Sequence, residues 1–442
     1  EAITAPLISH DAAIEAEEGS LPQYGVFGQV LQTNAKGFPS KPDDKRLYCN
    51  INSPFTAVVC GVQGSGKSHT VSVLLESMMI EDDRLGLLPS PLSGLVLHFG
   101  ESGTSLKPCE ATFLGLCDNP MVVCPEVVVF CSPSNLKHVS HSYAQFGGGA
   151  KVYPLYFQEE DVDATSLLSL MAVSESGQMP LYMHMVMQVL SDLGEAYSYT
   201  NFKLRLGSLM LEPIQARMLD QRLSLLEGFL CKKTDDGKLP RDGRFKKGML
   251  TIVDLTDPFI SPSSACSLFE IVLKLYNKAE LRCSKVVVLD EAHKYLSAEG
   301  TVASEGSKRL TERLLSFTRQ QRHLAMRVII STQEPTVVPS SLLDLCSFIV
   351  CHRFFSAGWF THLAKHVSSE LDAEAFERVV MLDRGECLIF SPTALFVTAP
   401  EEDEHPMGNA QVGQLGRGYI VAKTRRRITD DGGKSILATD QF

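Results

Sequence analysis

Short apolar runs recur along most of the chain and alternate with longer stretches whose apolar residues repeat at helical spacing. The clearest run covers residues 54–60 and is almost continuously apolar, which is typical of a strand buried on both faces of a parallel sheet. A glycine-rich turn and an amphipathic helix over about 67–80 follow this run. The segment therefore predicts a strand, a tight turn and a helix in immediate succession.

The same reasoning predicts further strands and helices between residues 94 and 390. Predicted strands cover residues 94–99, 126–131, 151–157, 249–255, 285–289, 327–331, 348–351 and 386–390. Predicted helices cover residues 181–197, 204–229, 268–281, 305–323, 359–366 and 373–381. Because the strands alternate with helices, the sequence predicts an α/β fold with a doubly wound, mostly parallel sheet.

The polar and turn-forming stretches divide the chain. Residues 1–50 are interpreted as an extended arm with one short strand at about 24–31, and residues 51–399 as the sheet domain. A largely helical insertion is expected at about 158–247. Residues 400–442 begin with EEDEHP, contain several glycines and carry Arg425, Arg426 and Arg427, which predicts a flexible tail unless it docks on a neighbour.

The turn after the first buried run carries the strongest chemical signal. It reads Gly61-Val62-Gln63-Gly64-Ser65-Gly66-Lys67-Ser68, with His69 next, and fits the phosphate-binding pattern G-x-x-x-x-G-K-[ST]. Glycines let the backbone fold around phosphate oxygens, and the following helix N-terminus favours an anion. Lys67 reaches the β- and γ-phosphates in this pattern, and the Ser68 hydroxyl ligates Mg²⁺. We therefore predict a nucleotide site from Gly61 to His69.

A second signal is the buried run 286–289, which ends in Asp290 and Glu291. Carboxylates at the carboxyl end of a parallel strand lie in the crevice where ligands of such sheets bind. We predict that Asp290 holds Mg²⁺ and that Glu291 acts as general base on the attacking water. Asp254 also follows a strand, and capping or packing is the favoured role for it.

Gln333 follows the next predicted strand, 327–331. A polar residue at that position can touch the γ-phosphate or the water and report hydrolysis to the rest of the fold. The alternative is a polar residue that opens the loop before Pro335.

Three arginines near this strand, Arg319, Arg322 and Arg353, are candidates for a finger that reaches the γ-phosphate of a neighbouring subunit. The alternative is surface pairing with acids such as Glu312 or Glu334.

These segments together carry a family resemblance. GVQGSGKSHT, VVVLDEAHKYL and FTRQQRHLAMRVIISTQEPTVVPSSLLDLCSFIVCHRF resemble the HerA/FtsK superfamily of P-loop ATPases, over about residues 54–392. The resemblance implies a RecA-like core that hydrolyses ATP with Mg²⁺, an acidic pair at Asp290 and Glu291, a sensor at Gln333 and hexameric rings. Many members of this superfamily move or unwind DNA.

Two features depart from that family. HerA-type proteins carry a β-barrel before the ATPase core, and about fifty residues precede the core here, so we expect the barrel to be absent or trimmed. No DNA-orienting winged helix of the FtsK kind is recognisable. The string DEAH also names a helicase class, but the residues after Phe390 are too few for the second RecA-like domain that this class requires.

Composition limits the remaining choices. The chain is 44% hydrophobic and 21% charged, which excludes a wholly disordered or fibrous protein, and its net charge of −11 argues against a general nucleic-acid coat. One loop is locally basic and is a candidate DNA path, with a solvated surface loop as the alternative. Its cations are Lys232, Lys233, Lys238, Arg241, Arg244, Lys246 and Lys247.

The cysteines bear on the compartment. The chain has 12 cysteines and no C-x-x-C motif, which predicts a reducing, intracellular location, cytoplasmic or nuclear. No apolar run is long enough to span a membrane, so no membrane partner is expected. A zinc site can be drawn through Cys124, Cys131, His138 and His141, but the spacing fits no common ligand pattern and core or loop roles are favoured.

The sequence thus predicts a homo-oligomeric, Mg²⁺-dependent ATPase whose work is translocation or unwinding of DNA. The alternative is a nucleotide-controlled switch or scaffold that acts on a protein partner. Stimulation of turnover by nucleic acid separates the two.

Overall fold

The fold is taken from a computed structural model of the chain. It describes residues 2–16, 21–100, 107–145, 149–171, 181–209, 211–231, 243–296, 304–366, 373–398 and 411–431.

Strands and helices alternate through most of the described chain. The strands are β1 (Leu7–Ser9), β2 (Tyr24–Asn34), β3 (Arg46–Asn50), β4 (Thr56–Cys60), β5 (Gly86–Leu87), β6 (Ser93–His98), β7 (Glu126–Cys131), β8 (Lys151–Pro154), β9 (Met249–Asp254), β10 (Lys285–Asp290), β11 (Met326–Thr332), β12 (Phe348–Cys351), β13 (Glu386–Phe390), β14 (Leu395–Val397), β15 (Val412–Gln414) and β16 (Tyr419–Thr424). The helices are α1 (His10–Glu15), α2 (Lys67–Met79), α3 (Leu136–Gln145), α4 (Ala164–Leu170), α5 (Leu181–Leu193), α6 (Tyr199–Gly207), α7 (Pro213–Phe229), α8 (Pro262–Lys278), α9 (Glu305–Leu324), α10 (Ser340–Leu343), α11 (Ala357–His366) and α12 (Ala373–Val380).

All the strands join one sheet, which has two parts. Its order is β15-β14-β1-β3-β2-β16-β13-β12-β4-β11-β10-β6-β9-β7-β8, with β5 added beside β2. Every pair from β12 to β8 is parallel, and we call this part the parallel half. The remainder is antiparallel except for the pair of β1 with β14, and we call it the antiparallel half. The predicted α/β class with a large, mostly parallel sheet is confirmed.

The parallel half is covered by helices on both faces because its central strands are apolar throughout. In β4, Val58 packs in the cluster that includes residues of α8 and α9. Its neighbour Val59 packs in the opposite cluster, with α2. Alternate side chains of a strand point to opposite faces, so a continuously apolar strand needs two covers.

The stretch between β8 and β9 contains the helices α4 to α7. The single helix predicted over 204–229 is wrong, since α6 ends at Gly207 and α7 begins at Pro213. Proline lacks the N–H that a helix interior requires and suits the first turn, so Pro213 starts a new helix.

The chain ends differ from the expected arm and flexible tail. Residues of the first fifty form β1, β2 and β3, and residues after 411 form β15 and β16. Strand β16 lies between β2 and β13, so it links the two ends of the chain by backbone hydrogen bonds. These pairings join residues far apart in sequence, which local patterns do not report. Among the described residues, no helix has the length and apolar character that a membrane crossing requires.

Candidate nucleotide site

The carboxyl ends of the parallel strands bring the predicted residues to one edge of the sheet. Strand β11 lies between β4, which leads into the glycine-rich loop, and β10, which ends at Asp290. Asp290 pairs in register with His98 of β6, and His98 pairs with Asp254 of β9. Three polar side chains therefore stand in a row at this edge, beside the loop.

The loop between β4 and α2 needs glycine at its close approaches. Gly61 has φ of 148°, and a Cβ atom there would lie 2.7 Å from the Cβ of His352. Gly66 has φ of 118°, in the region that side chains rarely adopt. The Ser65 hydroxyl and backbone N–H both donate to the carbonyl of Val62. The loop thus closes tightly on itself ahead of the helix.

Lys67 is the first residue of α2, and its side chain is buried. Its Nζ donates to the Val62 carbonyl at 3.0 Å. Burial lowers the pKa of Lys67 below its ordinary value, and the charges of Glu291 and Asp290 partly oppose this. A buried ammonium at a helix N-terminus is a strong anchor for phosphate.

Ser68 faces a carboxylate that the sequence analysis missed. Its hydroxyl interacts with Glu110, which lies in the loop region after β6. Burial raises the pKa of Glu110, while Arg427 and the Ser68 hydroxyl lower it. No motif marks Glu110, because its place beside Ser68 depends on the path of the chain after β6.

Asp290 is oriented by two neighbours. Its Oδ2 accepts from the Nδ1 of His98 at 2.9 Å and contacts the Sγ of Cys109 at 3.7 Å. Burial raises the pKa of Asp290, but the hydrogen bond and charge of His98 outweigh it, and the pKa lies below its ordinary value. Burial also raises the pKa of Cys109, to about 11, so that group is a neutral thiol. Asp290 is thus an ionised carboxylate held in place by His98 and Cys109.

The oxygen atoms at this edge of the sheet suit Mg²⁺. A hydroxyl at Ser68 and carboxylates at Asp290 and Glu110 offer the oxygen ligands that this cation prefers. Within the described residues, the one group of three His, Cys, Asp or Glu side chains whose ligand atoms converge is His98, Cys109 and Asp290. Asp254 accepts instead from the Tyr143 hydroxyl and the backbone N–H of Thr256, as a packing residue does.

Glu291 and Gln333 are in direct contact. The Oε2 of Glu291 accepts from the Nε2 of Gln333 at 3.0 Å, and the His293 ring lies 3.4 Å away. Glu291 has φ of 52°, a left-handed conformation that costs energy for a side chain and recurs at functional sites. Gln333, which directly follows β11, therefore contacts the predicted general base, Glu291. The roles of both residues stay predictions.

The three candidate arginines occupy two different places. Arg353 follows β12 at the loop edge, where its carbonyl accepts from the Val62 N–H and its exposed guanidinium lies over Phe355. Arg319 and Arg322 are exposed near the end of α9, which leads into the amino end of β11. They therefore lie toward the edge of the sheet where the parallel strands begin, whereas the glycine-rich loop of the same chain lies at the edge where these strands end.

The candidate zinc ligands are otherwise engaged. Cys131 is buried and donates to the Tyr153 carbonyl, and the His141 ring pairs with Gln145. No convergent group including Cys124, Cys131, His138 or His141 occurs in the described chain.

The basic loop lies partly outside the described residues, namely Lys232, Lys233, Lys238 and Arg241. Arg244 is buried, donates to the Tyr156 carbonyl and is not a surface cation. Lys246 and Lys247 are exposed, and they precede the amino end of β9, at the edge opposite the glycine-rich loop.

Comparison with known protein families and with curated proteins gives no match. Among solved structures, VirB4 of Thermoanaerobacter pseudethanolicus is 11% identical with a TM-score of 0.48, over 91% of this chain and 97% of that one. The genome packaging NTPase B204 from Sulfolobus turreted icosahedral virus 2, in complex with ATP-gammaS, is 11% identical with a TM-score of 0.33, over 84% and 97%. The pCW3 conjugation coupling protein TcpA is 12% identical with a TM-score of 0.32, over 93% and 69%. All three likenesses are at 11–12% sequence identity, with TM-scores of 0.32 to 0.48.

Proposed function

We propose that the chain hydrolyses ATP in a Mg²⁺-dependent reaction and that it does so as a ring-forming motor on DNA. The observation that carries the ATPase proposal is the convergence of Lys67, Asp290 and the Glu291–Gln333 pair at one edge of the sheet. These residues come from three separate strand ends. Their meeting beside a glycine-rich loop supports one shared substrate, a nucleoside triphosphate.

Binding is the task of the loop and of α2. Backbone N–H groups of the glycine-rich loop and the Lys67 ammonium contact the phosphates. The ring of His69, the last residue of the predicted stretch, pairs instead with the Arg425 carbonyl at 2.8 Å. Ser68 and Asp290 hold the metal, with Glu110 beside Ser68. Bound Mg²⁺ neutralises charge on the phosphate oxygens. The buried Lys67 provides a fixed positive charge with little solvent to screen it.

Glu291 is the general base in this proposal. Its carboxylate takes a proton from the attacking water, and the Gln333 amide, at 3.0 Å, holds that carboxylate in place. A γ-phosphate that drew the Gln333 amide toward itself would release Glu291. Gln333 therefore links the state of the nucleotide to the position of the base.

The ring and the DNA substrate extend the proposal through the resemblance of the motifs to HerA/FtsK ATPases. A ring places an arginine of one subunit at the γ-phosphate of the next. Arg319 and Arg322 lie toward the edge away from their own loop, where a neighbouring subunit can use them. Arg353 is the candidate beside its own loop.

The test is the steady-state rate of phosphate release with and without single- and double-stranded DNA, together with the mass of the particle in ATP. Stimulation by DNA and a multiple of the chain mass support the motor. An ATPase that ignores DNA contradicts the motor and favours a nucleotide-controlled switch or scaffold, the second candidate. The observation that favours the switch or scaffold is the burial of Arg244, because a buried arginine is one cation fewer on the proposed DNA path.

A shared site has its own experiment. Glu291→Gln protein is mixed with a variant in which Arg319, Arg322 and Arg353 are replaced by alanine. Some interfaces in mixed rings pair an intact glutamate with an intact arginine, so turnover is expected to recover. Co-assembly without recovery contradicts an arginine supplied in trans.

A further inference from the structure

The chain after β16 forms a clamp on helix α2, and we define the C-terminal clamp as residues 425–429. The Arg425 guanidinium donates to the buried Glu76 carboxylate of α2. It also donates to the Val73 carbonyl at 3.1 Å and the Ser77 hydroxyl at 3.2 Å. Arg425 thus contacts three residues of the helix that begins at Lys67.

Glu76 receives the rest of the clamp as well. Its Oε1 accepts from the backbone N–H of Ile428 at 3.0 Å, from the backbone N–H of Thr429 at 2.9 Å and from the Thr429 hydroxyl at 2.7 Å. A buried carboxylate with this many donors is well compensated. Nearer the loop, the His69 ring pairs with the Arg425 carbonyl at 2.8 Å. The clamp therefore holds α2 along its length.

Arg427 lies between two carboxylates: its Nε is 3.9 Å from the Oε1 of Glu76, and its Nη1 reaches toward Glu110. Its side chain is 2% exposed, and its Nη1 lies 3.7 Å from the Oε1 of Glu110 and 3.9 Å from Asp431. Among the described residues, that Nη1 has no hydrogen-bond partner, although Nε and Nη2 both reach the Thr429 hydroxyl. A buried donor left without a bond is costly, and Glu110 is within a small shift of accepting from it.

The neighbouring arginine behaves differently. Arg426 is exposed, and among the described contacts only its carbonyl takes part, by accepting from Arg425. Three consecutive arginines therefore have separate environments: one on α2, one in solvent and one beside Glu110. This makes Arg426 a matched control for Arg427, because both substitutions remove the same charge from the same segment.

We propose that Arg427 is a positioning residue of the nucleotide site, which holds Glu110 against the Ser68 hydroxyl and so prepares Ser68 to ligate Mg²⁺. The inference rests on the proposed function and adds to it a link from the C-terminal segment to the metal. The electrostatic reason is direct. The charges of Asp431 and Asp290 both repel the Glu110 carboxylate, and the Arg427 cation, 3.7 Å from Glu110, reduces this repulsion.

The experiment is a Mg²⁺ titration of the binding of a fluorescent ATP analogue, which reads the metal site without turnover. Arg427→Ala is expected to need about 10–100-fold more Mg²⁺ for tight binding, the usual cost of losing a residue that orients a metal ligand. Arg426→Ala is expected to match the parent protein, and Arg427→Lys to recover part of the loss. Identical curves for Arg427→Ala and Arg426→Ala overturn the proposal.

Circular dichroism shows whether each variant folds, and a second variant replaces Arg427→Ala if that protein is unfolded. If Arg427→Ala does not fold, Glu110→Gln takes its place, since it keeps the shape of the side chain and removes the charge that Arg427 holds. A raised Mg²⁺ requirement supports the proposal, and an unchanged one overturns it. A parent protein that binds the analogue but releases no phosphate contradicts the proposed ATPase and leaves this titration as the test of Arg427.

Discussion

The two halves of the sheet are built in different ways. The parallel half comes from the middle of the chain, and each of its strands β4, β10 and β11 is a continuous buried run followed at once by a residue of the site. The antiparallel half is assembled from the first fifty residues, from β5 and from residues 386–424. Its long strand β2 alternates buried and partly exposed positions and carries none of the nucleotide motifs.

Helix α2 connects the two halves of the sheet. Its first residue, Lys67, lies in the nucleotide loop, while Glu76 is bound by the chain that leaves β16. The parallel half therefore provides the chemistry, and the antiparallel half holds the helix that presents it. Substitutions of Lys67 or Glu291 should consequently show in activity, and substitution of Arg425, which donates to Glu76, should show in stability.

The largest effect is expected at the amino end of α2. Lys67→Ala removes the buried cation that we propose contacts phosphate, so nucleotide binding and turnover are both expected to be lost while the protein stays folded. Titration calorimetry with ATP measures the binding, and thermal unfolding checks the fold. Lys365→Ala removes an exposed lysine of α11 and serves as the charge control. Normal ATP affinity in Lys67→Ala contradicts the assignment of the loop.

Glu291→Gln separates binding from chemistry. The amide keeps the size of the side chain but cannot take a proton from water, so turnover is expected to fall by about 10²–10⁴-fold while ATP affinity is retained. Single-turnover phosphate release and analogue binding measure the two quantities. A folded Glu291→Gln variant that hydrolyses ATP at the parent rate would contradict the proposal that Glu291 is the general base.

The antiparallel half is tested by Arg425→Ala. This variant removes the guanidinium that donates to the buried Glu76 and leaves only the Nε of Arg427, at 3.9 Å, as a cation beside it. Breaking such a pair is expected to lower the free energy of unfolding by about 3–5 kcal/mol. Urea denaturation measures the loss. Arg426→Ala, in solvent, is expected to change it by less than about 0.5 kcal/mol. Equal stability of the two variants would show that the clamp does not hold α2.

His352 lies where the parallel and antiparallel halves of the sheet meet, and its buried ring predicts that the free energy of unfolding depends on pH. Its Nδ1 donates to the Glu386 carbonyl of β13, and in the neutral ring its Nε2 accepts from the Thr70 hydroxyl of α2. Burial lowers the pKa of His352 to about 4. In the unfolded chain a histidine takes up its proton near pH 6.5, so between these values the unfolded state binds more protons. The free energy of unfolding therefore falls as the pH drops from about 6.5 to 4.

The size of this effect is the smallest of the series, roughly 3 kcal/mol at the acid end of the window. Urea denaturation at several pH values measures it. His352→Gln retains a donor for Glu386 and an acceptor for Thr70 without a group that titrates, so the slope of stability against pH should be shallower than in the parent. Parallel slopes in the two proteins would contradict the neutral, buried ring.

The sequence by itself located the glycine-rich loop, the strand ending in Asp290 and Glu291, and the α/β class, because each of these is written in consecutive residues. A buried parallel strand must be apolar along its whole length, and a phosphate loop needs its glycines, lysine and serine at fixed spacing. Such features survive without any knowledge of distant contacts. The prediction of a single helix over 204–229 was wrong although the sequence contains the local signal against it: Pro213 begins a new helix.

Only the tertiary structure decided what surrounds that loop. Glu110 at Ser68, His98 at Asp290 and Arg427 beside Glu110 come from segments with no motif of their own. Each reaches the site through strand order or through the path of a loop. The insertion of β16 between β2 and β13 brings the two chain ends together and sends residues 425–429 across α2. Pairings between residues hundreds of positions apart depend on the whole sheet, so no local spacing of residues contains them.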